Sequence, residues 1–418
     1  MNNRNSFLPS TRREFLRISS KGIGLLAFSG FAPSFLVRST LAQTPAPEKD
    51  RSILVLIQLA GGNDGLNTVV PFEDANYYRL RPNIALPKDQ VFSIGANQAL
   101  NNACLAMQPL LQDGKLSVIQ NVGYPNPNRS HFRSSEIWET ASDSSEIKYT
   151  GWLGRYFDNA CEGKPNNQDP VGIHIGTQTP QSFVADKEHP LFSVNPNGGR
   201  QQNRENLTFL ETLVNHQAHE ENGNDSFLKH TMMDALVTEK KVQKVLADYK
   251  PEAAYPGSQL ANSLKSVAAL IAAGVSTRVY FVTLSGFDTH VNQLGNQNNL
   301  LRTLSESLAA FQKDLEAHKL DQQVLTMTFS EFGRRPSENE SRGTDHGTAA
   351  PLFVMGSGLK GGLHGTPPDL NLPKNQDLQY STDFRQVYAT VLDQWMGCKS
   401  ADVLGKEYQP LDFIRARV

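Results

Sequence analysis

Six continuous apolar segments of strand length recur along the chain, and they constrain its fold more than any other feature. Strands that are covered on both faces need apolar side chains on both faces, so uninterrupted apolar segments of this length are typical of a parallel sheet. The segments are residues 52–59, 116–122, 171–175, 279–284, 324–329 and 352–355.

Amphipathic helical patterns lie between these segments. Apolar residues recur at helical spacing in two stretches, Leu260, Leu264, Val267 and Ile271, then Leu301, Leu304, Leu308, Phe311 and Leu315. Alternating strands and helices predict an α/β fold, a doubly wound and mostly parallel sheet with helices on both faces. Residues 293–299 are polar and are predicted to form a loop.

The domain organisation follows from composition. Residues 51–418 are expected to form a single α/β domain, with an insertion around 195–250. This insertion is rich in Asn, Gln, Gly and Glu, and it becomes helical in pattern from about Ser226 to Tyr249. We interpret it as a helical cap at the edge of the sheet.

The first 42 residues differ in charge from the rest. They contain six Arg or Lys and one Glu, and Arg12-Arg13-Glu14-Phe15-Leu16 is similar to a twin-arginine export signal. An interrupted apolar stretch and Thr40-Leu41-Ala42 follow, so we expect a signal peptide over 1–42, cleaved near Ala42, and a linker over 43–50. The expected partner during export is the twin-arginine translocase, and the expected location is periplasmic or extracellular. No stable membrane-spanning segment is expected after cleavage.

The remainder of the chain is mildly acidic, because the whole protein has a formal charge of −2 although its first 42 residues are basic. A mildly acidic body without a basic stripe argues against nucleic acid as a partner. Three cysteines without a Cys-x-x-Cys pair predict no cysteine zinc site.

Four polar clusters follow four of the predicted strands. They are residues 61–65, 126–131, 286–290 and 330–335. Ligands of open α/β sheets bind outside the carboxyl ends of the strands, so we expect the four clusters to converge on one crevice.

Two of the short segments in this chain pair a carboxylate with an imidazole. They are Ser285-Gly286-Phe287-Asp288-Thr289-His290 and Gly343-Thr344-Asp345-His346-Gly347. Oxygen and nitrogen donors at this spacing suit a divalent metal. Asp345 between turn-forming residues would also serve as a simple turn cap, and Asp64 in a Gly-rich turn has the same alternative.

Seven motifs together make the chain resemble the bacterial domain of unknown function 1501 family. They are Gly-Gly-Asn-Asp-Gly-Leu-Asn (61–67), Pro-Asn-Arg-Ser-His-Phe (127–132), Gly-Trp-Leu-Gly-Arg (151–155), the segments 285–290 and 343–347, Phe-Ser-Glu-Phe-Gly-Arg-Arg (329–335) and Asp-Phe-Arg (383–385). The order of the motifs is in turn similar to that of the alkaline phosphatase and sulfatase superfamily. This resemblance implies an alkaline phosphatase-like domain.

The same resemblance implies a site for two divalent ions of zinc, manganese, calcium or magnesium. Asp288, His290 and His364 would hold one ion, and Asp64, Asp345 and His346 the other. Ser130 would be the nucleophile, although Ser130 could instead cap the helix that follows it. His131 could act as a ligand or as an acid or base, and Glu331 as a ligand or a base. Arg129, Arg334 or Arg335 could bind the oxygens of a tetrahedral anion.

The leading hypothesis is therefore an exported metal-dependent hydrolase of phosphate or sulfate esters, acting on a small-molecule or polymer substrate. Asp288-Thr289-His290 departs from the wider Asp-x-x-x-His spacing of the phosphatases. That departure motivates the alternative of a non-catalytic exported binding or scaffold protein that keeps the fold. A nucleotide-binding site at Gly61-Gly62 is a third reading, but the loop has neither GxGxxG nor a P-loop pattern.

Overall fold

The computed structural model describes residues 51–416 except 161–169, 178, 190 and 195–241. The expected signal peptide, the linker and most of the predicted insertion lie outside the described residues. Residues 242–248, at the end of the predicted insertion helix, are helical.

A nine-stranded mixed sheet forms the centre of the molecule. Its strands are β1 (Ile53–Ala60), β5 (Leu116–Gly123), β6 (Gly172–Ile175), β7 (Leu191–Val194), β8 (Val279–Ser285), β9 (Val324–Phe329), β10 (Ala350–Met355), β11 (Gly362–His364) and β12 (Thr382–Asp383). The order is β11-β5-β10-β9-β1-β8-β6-β7, and β12 pairs with β5. All pairs are parallel except those that β10 makes with β5 and β9. The predicted α/β class and mostly parallel sheet are confirmed, and all six apolar segments form strands.

A second, three-stranded antiparallel sheet was not predicted. It consists of β2 (Val69–Val70), β3 (Val91–Gly95) and β4 (Gln98–Asn101), in the order β2-β4-β3. Its strands are short, and none forms a long apolar segment in the sequence.

Helices cover both faces of the large sheet. Besides the helical residues 242–248, the α-helices of the described residues are α1 (Ala75–Leu80), α2 (Gln108–Gln112), α3 (His131–Thr140), α4 (Trp152–Ala160), α5 (Gln259–Ala272), α6 (Gln293–Ala317), α7 (Phe384–Thr390) and α8 (Ser400–Leu404). The chain also forms short 3₁₀ helices and a π-helical turn over Val391–Met396.

Two apolar cores lie on opposite faces of the sheet. Helices α5 and α6 pack on one face, and α3, α4, α7 and α8 on the other. Side chains alternate between the two cores along β1: Ile53 and Val55 belong to the first, and Leu54 and Leu56 to the second. This alternation explains why the strand is apolar throughout.

The prediction of a loop over residues 293–299 is wrong, because α6 begins at Gln293. The polar residues Gln293 and Gln297 are completely buried, and their amide groups donate to the Asn63-Asp64 turn. Their polarity therefore reflects buried hydrogen bonding instead of exposure to solvent. Within the described residues, no helix is long and apolar enough to cross a membrane.

Candidate metal site

The carboxyl ends of four parallel strands meet at one edge of the sheet, as predicted. Strands β5, β9, β1 and β8 run in the same direction, and the antiparallel strand β10 begins at this edge. The polar clusters that follow the four strands, and the segment 343–347 that precedes β10, therefore come together. The side chains that meet there include those of His131, Glu331, Asp288 and His346.

Asp288 lies at the centre of the cluster. Its Oδ1 is 2.7 Å from Nη2 of Arg334, 2.9 Å from Nε2 of His290 and 3.2 Å from Nε2 of His346. Its Oδ2 is 3.5 Å from Nε2 of His131. Burial raises the pKa of Asp288, but the hydrogen bond and the positive charge of Arg334 outweigh it and lower the pKa to about 2. Asp288 is therefore a carboxylate at neutral pH.

Glu331 fixes the orientation of His131. Nδ1 of His131 lies 2.8 Å from Oε1 of Glu331, and the same oxygen accepts a hydrogen bond from the backbone amide of Gly61 at 2.8 Å. A carboxylate only accepts, so Nδ1 carries the proton and Nε2 of the neutral ring keeps its lone pair. That Nε2 is buried and has no hydrogen-bond partner, although it faces Asp288.

His346 is oriented in the same way by a backbone carbonyl. Its Nδ1 lies 2.9 Å from the carbonyl oxygen of Arg129, which can only accept a hydrogen bond. Burial lowers the pKa of His346 and favours its neutral form, against the opposing influence of Asp288. Its Nε2 is then a lone pair that points toward Asp288.

His290 completes a ring of three imidazoles around Asp288. Its Nε2 is 3.0 Å from Nε2 of His346, and its Nδ1 is 3.6 Å from Oδ1 of Asp345. Asn339 donates to the carbonyl of His290 at 3.0 Å and to Oδ1 of Asp345 at 3.2 Å. Asp345 therefore lies beside the cluster, on the outer side of His290.

These donors fit a divalent cation. Ligand atoms of His131, Asp288 and His346 all lie within 4.8 Å of one another. Two ring nitrogens whose opposite N–H groups are anchored by a carboxylate or a carbonyl are the arrangement that orients metal-ligating histidines. A positive ion among these acceptors would satisfy the unpartnered Nε2 of His131.

The structure does not bring Asp64 into this group. Asp64 is fully buried, and its Oδ2 lies 2.6 Å from Nη1 of Arg81. The same oxygen accepts from Gln293, and Oδ1 accepts from the amide of Leu66. Its carboxylate therefore has a permanent cationic partner and caps the turn that follows β1.

His364 also lies apart from the group. It ends β11, beside Ile119 of β5, and its Nε2 is 3.1 Å from the carbonyl of Gly361. Burial lowers the pKa of His364.

Ser130 is exposed at the N-cap position of α3, directly before His131, and its hydroxyl makes no capping hydrogen bond. The alternative role of Ser130 as a side-chain cap therefore has no support in this geometry. The residue is exposed to solvent and directly precedes a member of the cluster.

The three arginines predicted to bind an anion differ in their surroundings. Arg335 is partly buried, and its Nε lies 3.5 Å from Oδ1 of Asp377. Arg334 is fully buried, and its nitrogens donate to the carbonyls of Gly61, Gly62, Phe287 and Thr344 as well as to Asp288. Arg129 is about half exposed and pairs with Asp377 at 3.1 Å. Arg334 therefore ties the strand-end loops together, whereas Arg129 lies at the surface.

Three supporting residues were not predicted from the sequence. Arg81 neutralises Asp64, and Thr344 links Gln293 to Arg334 through its hydroxyl and its carbonyl. The ring of Phe332 packs against His131 and His346, at centroid distances of 4.9 and 4.6 Å. Phe332 lies within the motif 329–335, so the sequence offered a signal for its role. Arg81 lies in none of the motifs, so the sequence offered no signal for its role.

The chain belongs to the family described as "Protein of unknown function (DUF1501)", which matches residues 116–406, more than half of the chain. No curated protein matches the sequence.

Three solved structures are similar to this chain, each at low sequence identity. The zinc complex of the C-terminal periplasmic domain of EcEptC from Escherichia coli is 10% identical, with 75% of each chain covered and a TM-score of 0.36. The lipoteichoic acid synthase LtaP from Listeria monocytogenes is 8% identical, with 92% of this chain and 80% of that chain covered and a TM-score of 0.35. The phosphonate monoester hydrolase from Silicibacter pomeroyi is 9% identical, with 86% and 77% covered and a TM-score of 0.33. At these scores the likeness carries no conclusion for this chain, and the fold assignment follows from its own strand order.

Proposed function

We propose that this protein is a metal-dependent hydrolase of phosphate or sulfate esters. One divalent ion would be held by His131, Asp288 and His346, with His290 as the adjacent fourth donor. The observation that carries the proposal is the orientation of two imidazoles, whose Nδ1 atoms are anchored and whose Nε2 atoms face one carboxylate. Zinc and manganese are the ions that suit three nitrogen donors and one oxygen donor best.

A bound divalent ion would supply Lewis acidity toward the oxygens of the ester. The chain's own residues would do the rest. Ser130 would be the nucleophile, since its hydroxyl is accessible next to His131. Glu331 would hold His131 in one tautomer, and Arg129 at the surface would contact the anionic group. The twin-arginine pattern at Arg12-Arg13 supports export, with the reaction taking place in the periplasm or outside the cell.

The test combines metal analysis with turnover. The purified protein should contain about one equivalent of zinc or manganese and should hydrolyse 4-nitrophenyl phosphate or 4-nitrophenyl sulfate. His346→Ala should lose both properties. His189→Ala is the matched control, because His189 also pairs with a carboxylate, Asp158, at 2.7 Å but lies outside the group. A protein free of stoichiometric metal, or turnover that persists in His346→Ala, would refute the proposal.

The pairing of Asp64 with Arg81 favours a second candidate function. It removes one carboxylate from the set that the resemblance implied for a second ion. A protein that binds one ion without turnover would be an exported binding or scaffold protein. Stoichiometric metal that depends on His346, together with no turnover of either ester, would select this candidate over the hydrolase.

A further inference from the structure

The metal cluster formed by His131, Asp288, His290 and His346 is open to solvent. About half of the Asp288 side chain is exposed, and the three histidine side chains are 23 to 39% exposed. The three rings form a row with His346 in the middle, because its ring centroid lies 4.5 Å from that of His131 and 4.7 Å from that of His290. The cluster therefore does not enclose a substrate, and the residues at the ends of the row are the next to contact it.

An exposed apolar residue adjoins each end of this row. Phe132 directly follows His131 and is 91% exposed, and Val291 directly follows His290 and is 57% exposed. His131 approaches Oδ2 of Asp288 and His290 approaches Oδ1, so the two chain segments flank its carboxylate. Isolated exposed apolar residues are normal on a protein surface. An exposed apolar residue at both ends of one candidate site is instead a feature of that site.

Phe132 has no role in the apolar core. The buried residues of α3 are Ser134, Ile137, Trp138 and Thr140. Successive helical residues are about 100° apart around the axis, so Phe132 lies on the side of α3 opposite to these residues. Helical side chains tilt toward the N-terminus of their helix, and α3 begins at the cluster. The ring of Phe132 is therefore displaced toward the cluster, in solvent.

The chemistry at the ends of the row differs from that of the row itself. Ring nitrogens and a carboxylate suit an ion, which would hold the anionic group of the ester. Phe132 and Val291 have no hydrogen-bonding side-chain group, and contact with apolar surface stabilises them because it removes water from both partners. A phenyl ring also interacts favourably with another aromatic ring. An aryl or alkyl group attached to the anionic group satisfies these residues, whereas a compact polar alcohol would leave them in water.

We propose that Phe132 and Val291 are specificity-determining residues that bind the apolar alcohol part of an aryl or alkyl ester. Phe132 provides the larger contact, since its side chain is larger and more exposed. The inference rests on the proposed function for the reaction. The contact itself requires a bound ion but no turnover.

Isothermal titration calorimetry on the full chain loaded with zinc measures this contact without turnover, because phosphonates and sulfonates contain no ester bond. The probes are benzylphosphonate against methylphosphonate, and benzylsulfonate against methanesulfonate. In at least one pair, the benzyl compound should bind about tenfold more tightly than the methyl compound. Phe132→Ala should remove most of this preference and Val291→Ala about half of it, while the affinity for the methyl compound stays unchanged.

Leu105→Ala is the matched control. Leu105 is also an exposed apolar residue, but its neighbours Cys104 and Met107 belong to the core on the face of the sheet opposite α3. This variant should keep the benzyl preference of the wild type, and its loss there would overturn the inference. No binding of either pair, equal affinities within both pairs, or an unchanged preference in Phe132→Ala or Val291→Ala also overturns it.

The same experiment separates this inference from the proposed function. A benzyl preference in a protein that does not hydrolyse 4-nitrophenyl esters refutes the hydrolase alone. Hydrolysis of these esters without a benzyl preference refutes the role of Phe132 and Val291 alone.

Discussion

The carboxylate of Asp64 lies 2.6 Å from the guanidinium of Arg81, and neither side chain is exposed to solvent. Arg81 also donates to Asn67 and to the backbone carbonyls of Arg335 and Pro336. The pair thereby joins the turn after β1 to the loop after β9. Asp64, which the motif order implied as a metal ligand, is instead one partner of a buried ion pair.

We predict one metal ion per chain that depends on Asp288 and not on Asp64. Asp288→Asn should abolish stoichiometric binding, because it removes the central carboxylate. Asp64→Asn should keep the metal but lower the free energy of unfolding by about 3–5 kcal/mol, since Arg81 is left buried without its counter-charge. Elemental analysis and urea unfolding measure the two effects. If the Asp64→Asn protein is folded but has lost the metal, the prediction is contradicted and Asp64 is a metal ligand.

Glu331→Gln should weaken metal binding about 10- to 100-fold while the protein stays folded, because the carboxylate that orients His131 is replaced by a neutral amide. Competition with a chromogenic chelator measures the affinity. Glu338→Gln is the matched control: Glu338 also accepts a backbone amide hydrogen bond, from Ile84 at 3.0 Å, but lies outside the group. Equal affinities in both variants would argue against an orienting role for Glu331.

Gly343→Ala should push apart the loop that contains His290 and the loop that contains His346. A Cβ at this position would lie 2.2 Å from the carbonyl oxygen of His290, so the loops would have to move apart and the metal affinity should fall. Gly295→Ala serves as the control within α6, where a Cβ meets nothing within 4 Å. It should raise the free energy of unfolding by about 0.5–1 kcal/mol, because Ala favours the helix over Gly. Chelator competition and urea unfolding check both variants, and an unchanged metal affinity in Gly343→Ala would contradict the expectation.

His174 should make the fold sensitive to mild acid. It is buried on β6, and burial lowers its pKa to about 4, from about 6.5 in the unfolded chain. As the pH falls from 6.5 to 4, His174 therefore binds a proton in the unfolded state and remains neutral in the folded state. Across this window the wild type should lose about 3 kcal/mol more stability than His174→Leu. Urea unfolding at pH 7, 5.5 and 4.5 measures the difference, and parallel stability curves for the two proteins would contradict it.

The sequence predicted the large sheet well and the small sheet not at all. Strands β1, β5, β8 and β9 are buried on both faces and appear as continuous apolar segments, whereas β2 has only two residues. The sequence predicted too late a start for α6. The reason is that Gln293 and Gln297 are polar but buried, and they form long-range hydrogen bonds. Asp383 forms a capping box with Gln386 at the start of α7.

The sequence by itself determined which residue types stand at the strand ends, because hydrophobic periodicity locates strands and the polar clusters follow them directly. It thereby predicted that 61–65, 126–131, 286–290 and 330–335 meet at one edge. Only the tertiary structure decided which side chains share a centre. His131 and Asp288 face each other, while Asp64 pairs with Arg81 and His364 bonds to Gly361. A carboxylate at a strand end has the same local sequence whether it meets a guanidinium or an imidazole, because its partner comes from a distant part of the chain.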